Sequence, residues 1–142
     1  MQELDVSQNF LRAAQQRFTA AGVLFSNGFN LEAVYLAGYA IECSLKAVIL
    51  RCTSQSEHDK IVARFKRRGG HDFEALKQLL SNHKINIPSP LNEKLRRDAW
   101  STDLRYRVGT LPAEDAEAFM VAAEAALRWA TAQFVARKLI RS

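Results

Sequence analysis

The chain has 142 residues, enough for one domain and too few for two. Apolar residues make up 48% and charged residues 25%, a balance that excludes a disordered chain, and with only 6 Gly and 3 Pro the sequence argues against a turn-rich β-sandwich. Lys and Arg number 20 against 15 Asp and Glu, a formal +5, and the excess is local: Arg51 to Arg107 holds 13 bases and 7 acids, the rest 7 and 8.

The first predicted helix runs from about Val6 to Phe25. Val6, Phe10, Ala14, Phe18, Ala21 and Phe25 recur at three- and four-residue steps on one face. Ser26-Asn27-Gly28 ends it, with residues suited to a left-handed turn. The second helix spans about Leu31 to Arg51 with Asn30 as its N-cap. It is apolar nearly all round, so it takes the centre, with neighbours on several sides. Its charges Glu32, Glu42 and Lys46 break the apolar run and make it a buried helix, not a membrane span.

Cys52 to Gly70 is the charged stretch, where Glu57 to Arg68 forms a short helix with Ile61, Val62 and Phe65 facing inward. A third main segment starts at Asp72 as N-cap, carries Phe73, Leu76, Leu79 and Leu80, and ends near His83. Pro88 and Pro90 mark the connection to a fourth, about Leu91 to Trp100. Ser101 to Thr110 reads as irregular. The last helix begins around Pro112, with Glu114, Asp115 and Glu117 matching its dipole, and runs to Ile140. Two long helices, one long C-terminal helix and two or three shorter ones give an all-α antiparallel bundle, with one domain over 1–142.

Two cysteines, Cys43 and Cys52, make neither a zinc site nor a disulfide framework. A reducing cytoplasm is the expected compartment. The first six residues carry two acids and no base, unlike a signal peptide. There is no Gly-rich phosphate loop, paired-His metal motif or nucleophile elbow, so no metal or cofactor is expected.

Three groups of residues could carry chemistry. Glu42 and Lys46, four apart in the most apolar helix, form either a structural ion pair or part of a polar pocket with Tyr35 or Tyr39. Arg64 and His71, with six residues between them, could stabilise a phosphate and move a proton, which is the chemistry of RNA cleavage; otherwise they belong to a solvated basic segment. Arg105-Tyr106-Arg107 either grips phosphate and stacks on a base or anchors a loop. Lys66, Arg67 and Arg68, with Arg96 and Arg97, complete a basic face. His58 and His83 show no partner pattern.

The run AVYLAGYAIECSLKA, with Tyr39, Glu42, Leu45, Lys46 and Ala47, becomes specific when joined to Arg12 and Arg17 in the first helix, to GHDFEALKQLL, and to DLRYRVG before the last helix. In that order these pieces resemble the HEPN domain family over nearly the whole chain. The resemblance implies an up-and-down bundle of four or five helices, usually a homodimer. It also implies a place in prokaryotic gene pairs, beside a nucleotidyltransferase or in a toxin–antitoxin or phage-defence couple. Some members are metal-independent RNA endonucleases; others bind nucleotides or act as non-catalytic partners. The nucleases carry an Arg followed by a His, with four to six residues between, near the last long helix. Here that region has Arg105 but no His, and none follows His83. The resemblance therefore carries over Arg105 alone, as a phosphate-binding residue. It favours a non-catalytic binding module over an endonuclease using Arg64 and His71.

Overall fold

The computed structural model describes residues 5–66, 73–96, 109 and 111–141, with 96 and 137–141 described for their backbone only. Three long helices form the frame: α1 (Val6–Ser26), α2 (Asn30–Arg51) and α6 (Ala113–Arg141). Between α2 and α6 come a 3-10 turn (Gln55–Glu57), α3 (His58–Phe65), α4 (Phe73–Asn82) and α5 (Ser89–Arg96). Among the described residues there is no strand, and the fold is the all-α bundle expected, with three shorter helices.

α1 starts where Asp5 can cap it. The Gln8 N–H donates to the Asp5 carboxylate at 2.8 Å, and the Asp5 N–H donates to the Gln8 side chain at 3.1 Å. This reciprocal capping box satisfies two otherwise orphaned donors. The helix ends at Ser26, and Gly28 follows with a φ of 84°, a conformation open to glycine at little cost. The Phe29 N–H then reaches back to the Leu24 carbonyl at 2.9 Å and the Gly28 N–H to that of Phe25 at 3.1 Å, a Schellman closure. The chain reverses here and α2 returns antiparallel along α1. Asp5 faces Arg51 across this pair, and Phe10 faces Lys46.

α2 is the core helix. Ile41, Leu45, Ile49 and Leu50 are fully enclosed, each burial being worth about 1.5–3 kcal/mol. α6 lies against α2 and also against α1, and it carries a run of fully buried alanines, Ala116, Ala123, Ala126 and Ala130, whose short side chains suit close helix packing. α2 is long and apolar enough to cross a membrane, with a mean hydropathy of 1.5, but 78% of that stretch is buried inside the bundle. Its apolar surface is used by the core.

Three boundaries differ from the sequence expectation. Asn30 is not a cap: the helix already includes it, Phe29 holds the cap position, and the Asn30 amide instead donates to the Leu111 carbonyl at 3.0 Å. That bond ties the approach to α6 onto the start of α2. α5 begins at Ser89, two residues early, because Pro90 fits its first turn. Its expected continuation over 97–100 lies outside the described residues, as does the Asp72 cap. α6 starts at Ala113, and Pro112 precedes it, its carbonyl accepting the Asp115 and Ala116 N–H groups.

Candidate functional site

Tyr35, Tyr39, Glu42 and Lys46 are spaced four, three and four residues apart on α2, so they share one helical face. The face is polar on an otherwise apolar helix. At one end the Lys46 ammonium lies 2.7 Å from Glu42 Oε2, and the two residues are 4% and 3% exposed. At the other end the Tyr35 hydroxyl donates to that of Tyr39 at 3.2 Å, and the rings meet edge to face at 5.0 Å. Both tyrosines are only half-buried.

The Lys46 end is closed by two aromatic rings. Phe65 of α3 stands 5.0 Å from the ammonium and Phe10 of α1 stands 5.9 Å away. The rings themselves pack edge to face at 5.7 Å. A desolvated ammonium between ring faces gains cation–π attraction on top of its ion pair. Lys46 therefore serves the stripe through Glu42, whose carboxylate it holds in place. Phe10 and Phe65 are legible in the sequence as inward-facing positions, but nothing in their spacing shows that they meet over Lys46.

Cys43, beside Glu42, is mostly buried. Burial pushes its thiol up to about 11 and the Glu42 carboxylate adds to this, while Lys46 and Arg17 act in the opposite direction. A thiol so rarely ionised is no nucleophile. The influence of Arg17 also places an α1 cation within electrostatic range of this part of the stripe.

Arg64 and Lys66 are exposed on either side of Phe65, at the end of α3. With Phe65 anchored in the core, both are held at the surface. Arg105, Tyr106, Arg107, His71, Arg67, Arg68 and Arg97, and the side chain of Arg96, lie outside the described residues. The sequence does, however, put Arg107 only four residues before Leu111, the residue fastened by Asn30.

His58 has a partner that its sequence context does not reveal. Its Nε2–H donates to the Leu50 carbonyl at 2.7 Å, in the last turn of α2. There a donor satisfies one of the carbonyls the helix end leaves open. Arg51 completes this end, 3.6 Å from Asp5 and over the Phe134 ring at 5.1 Å. Among the described residues, no group of three or more His, Cys, Asp or Glu is placed to hold a metal ion.

Comparison with curated proteins finds no match, and comparison with solved structures finds none. The sequence profile of the HEPN domain, however, matches residues 7–133. That span takes in α1, the polar stripe of α2, the basic middle and most of α6. A family of nucleotide- and RNA-related function thus accounts for nearly the whole bundle, and the chain belongs to the HEPN domain family.

Proposed function

We propose that this HEPN domain binds a nucleotide or nucleic-acid phosphate without cleaving it. The binding residues are Arg105, Tyr106 and Arg107, working with Tyr39 at the half-buried end of the α2 stripe. Glu42 and Lys46 form the fixed floor, and Lys66, Arg67, Arg68, Arg96 and Arg97 supply a basic approach. One observation carries the reading: the most deeply buried helix keeps an ion pair, Glu42 with Lys46, where apolar residues would pack as well. A buried ion pair contributes little net stability, so its place on the stripe supports a role beyond packing.

Calorimetry at low salt with ATP, GTP and a short single-stranded RNA tests this. Wild type binds at least one of them, and Arg105→Ala weakens that binding while leaving the circular dichroism spectrum unchanged. No heat from any of the three overturns the reading.

The exposed position of Arg64 favours a second reading, metal-independent RNA cleavage by Arg64 with His71. RNA cut in the presence of EDTA by wild type and left intact by His71→Ala would replace binding with catalysis. The reading also takes the domain to act as a cytoplasmic homodimer opposite a nucleotidyltransferase or another toxin or antitoxin partner. Light scattering reports the dimer.

A further inference from the structure

We infer that the groove between α5 and the start of α6 is a docking site for a basic, amphipathic helical segment of a partner protein. The groove encloses about 410 Å³. Ile41, Phe73, Leu95 and Phe119 make its apolar floor. Val121, at 45% exposure, carries the apolar surface out onto the wall. This is room for roughly two or three bulky side chains. The α6 wall from Glu114 to Ala122 is straight helix of about 12 Å at 1.5 Å per residue. A second helix laid along it can insert side chains from successive turns, the helix-in-groove mode of recognition.

Charge selects the partner. Glu114, Asp115 and Glu117 line the rim, with Lys94 the one cation among the described lining residues. All three acids are exposed and none is ion-paired to a described residue. The dipole of α6 accounts for acids at Glu114 and Asp115 in its first turn, but Glu117, expected from the sequence to match the dipole as well, stands beyond that turn. This acidic rim sits on a chain of net charge +5. The molecule as a whole repels a cationic peptide, so one that binds does so through this local field. The site uses other residues than the phosphate site proposed above, and its test is independent of that reading.

The test uses the full chain and a fluorescein-labelled, roughly 14-residue helical peptide with leucines on one face and lysines elsewhere. A matched peptide carries glutamate in place of lysine. Fluorescence anisotropy at low salt is expected to show micromolar binding of the lysine peptide and none of the glutamate peptide. Val121→Lys and Glu117→Lys, both at exposed positions, are each expected to weaken binding about tenfold or more. Circular dichroism confirms that both variants fold. Absence of binding by the lysine peptide overturns the proposal, as does binding that both variants leave unchanged or equal binding of the glutamate peptide. If instead light scattering shows a homodimer that the same variants dissolve, a second copy covers this groove and the proposal fails.

Discussion

The ammonium of Lys46 touches the carboxylate of Glu42 at 2.7 Å, with both side chains about 5% exposed or less. Removing one partner leaves a charge in a medium that cannot solvate it. Lys46→Met is therefore expected to cost about 3 kcal/mol or more in urea unfolding. The double variant Glu42→Leu/Lys46→Met removes both charges and is expected to recover most of that loss. A double variant as unstable as the single one would show that the pair itself stabilises the fold. It would also remove the argument that the pair is kept for function.

Asp5 links the start of α1 to the end of α2. Partial burial pushes its carboxyl up, but the Ser7 hydroxyl, the Gln8 N–H and the nearby Arg51 and His58 charges outweigh this and hold it below its ordinary 3.8. A carboxyl depressed in the folded state stabilises above the unfolded value, and that contribution is lost as pH falls through the folded one. Asp5→Ala is expected to cost about 1 kcal/mol at pH 7, the usual worth of an N-cap. Asp5→Asn keeps a capping oxygen and costs less. The Asn deficit should shrink steadily below pH 3.8. Thermal melts from pH 7 to acid follow both, and an Asn deficit that persists into acid would mean the charge is not responsible.

What could be read from the sequence was whatever depends on local order. The Phe10–Phe18–Phe25 stripe, the all-round apolarity of α2, the Gly28 turn and the acids opening α6 each follow from spacing or from one residue's conformational freedom. What could not be read depends on which distant residues meet. Asn30 has a capping side chain, but Leu111, far along the chain, offers its carbonyl a better use. His58 shows no motif because its partner is a backbone carbonyl. The tyrosine–glutamate–lysine stripe was visible as a set of residues. Its division into a half-buried tyrosine end and a ring-closed lysine end required the packing of α1 and α3. The notable site residues in the Arg105 region are legible as sequence alone.

Lys84 adopts a left-handed conformation, φ 60°, at the end of α4. The Ile85 N–H closes onto the Leu80 carbonyl and the Lys84 N–H onto that of Ser81, both at 2.9 Å, the same closure that Gly28 makes after α1. A side chain there meets steric resistance of about 1–2 kcal/mol, partly offset by the flexibility glycine brings to the unfolded chain. Lys84→Gly is expected to stabilise by about 0.5–1 kcal/mol, or roughly 2–4 °C in Tm for a domain of this size. Gly28→Ala is the converse and should destabilise. A melt in which Lys84→Gly lowers Tm would show that the lysine side chain makes a compensating contact.

Cys43 should be nearly inert. Its thiol is raised from 9.0 to about 11 by burial and by Glu42. Two units leave about one hundredth of the usual thiolate at neutral pH, so alkylation of the native protein by iodoacetamide should be slowed about 100-fold from ionisation alone. Mass spectrometry of time points locates the label. Rapid labelling of Cys43 before unfolding would mean that the α1–α2 contact opens readily, contrary to its burial.

The basic face of α3 gives a prediction about binding itself. Phe65 anchors the end of α3 between Phe10 and Lys46, and so fixes Arg64 and Lys66 on the surface around it. Cations held in this way release counterions from a bound strand, and each phosphate neutralised on single-stranded RNA contributes about 0.7 to the slope of log K against log salt. The double variant Arg64→Ala/Lys66→Ala should flatten that slope by about 1.4, so the loss of affinity is about sevenfold greater near 50 mM salt than near 200 mM. Filter binding across that range measures it. The exposure of both side chains means the variant folds as wild type does, so a changed slope reports contact with the strand. A slope identical to wild type would take α3 out of the binding face and leave the phosphate contacts to Arg105 and its neighbours.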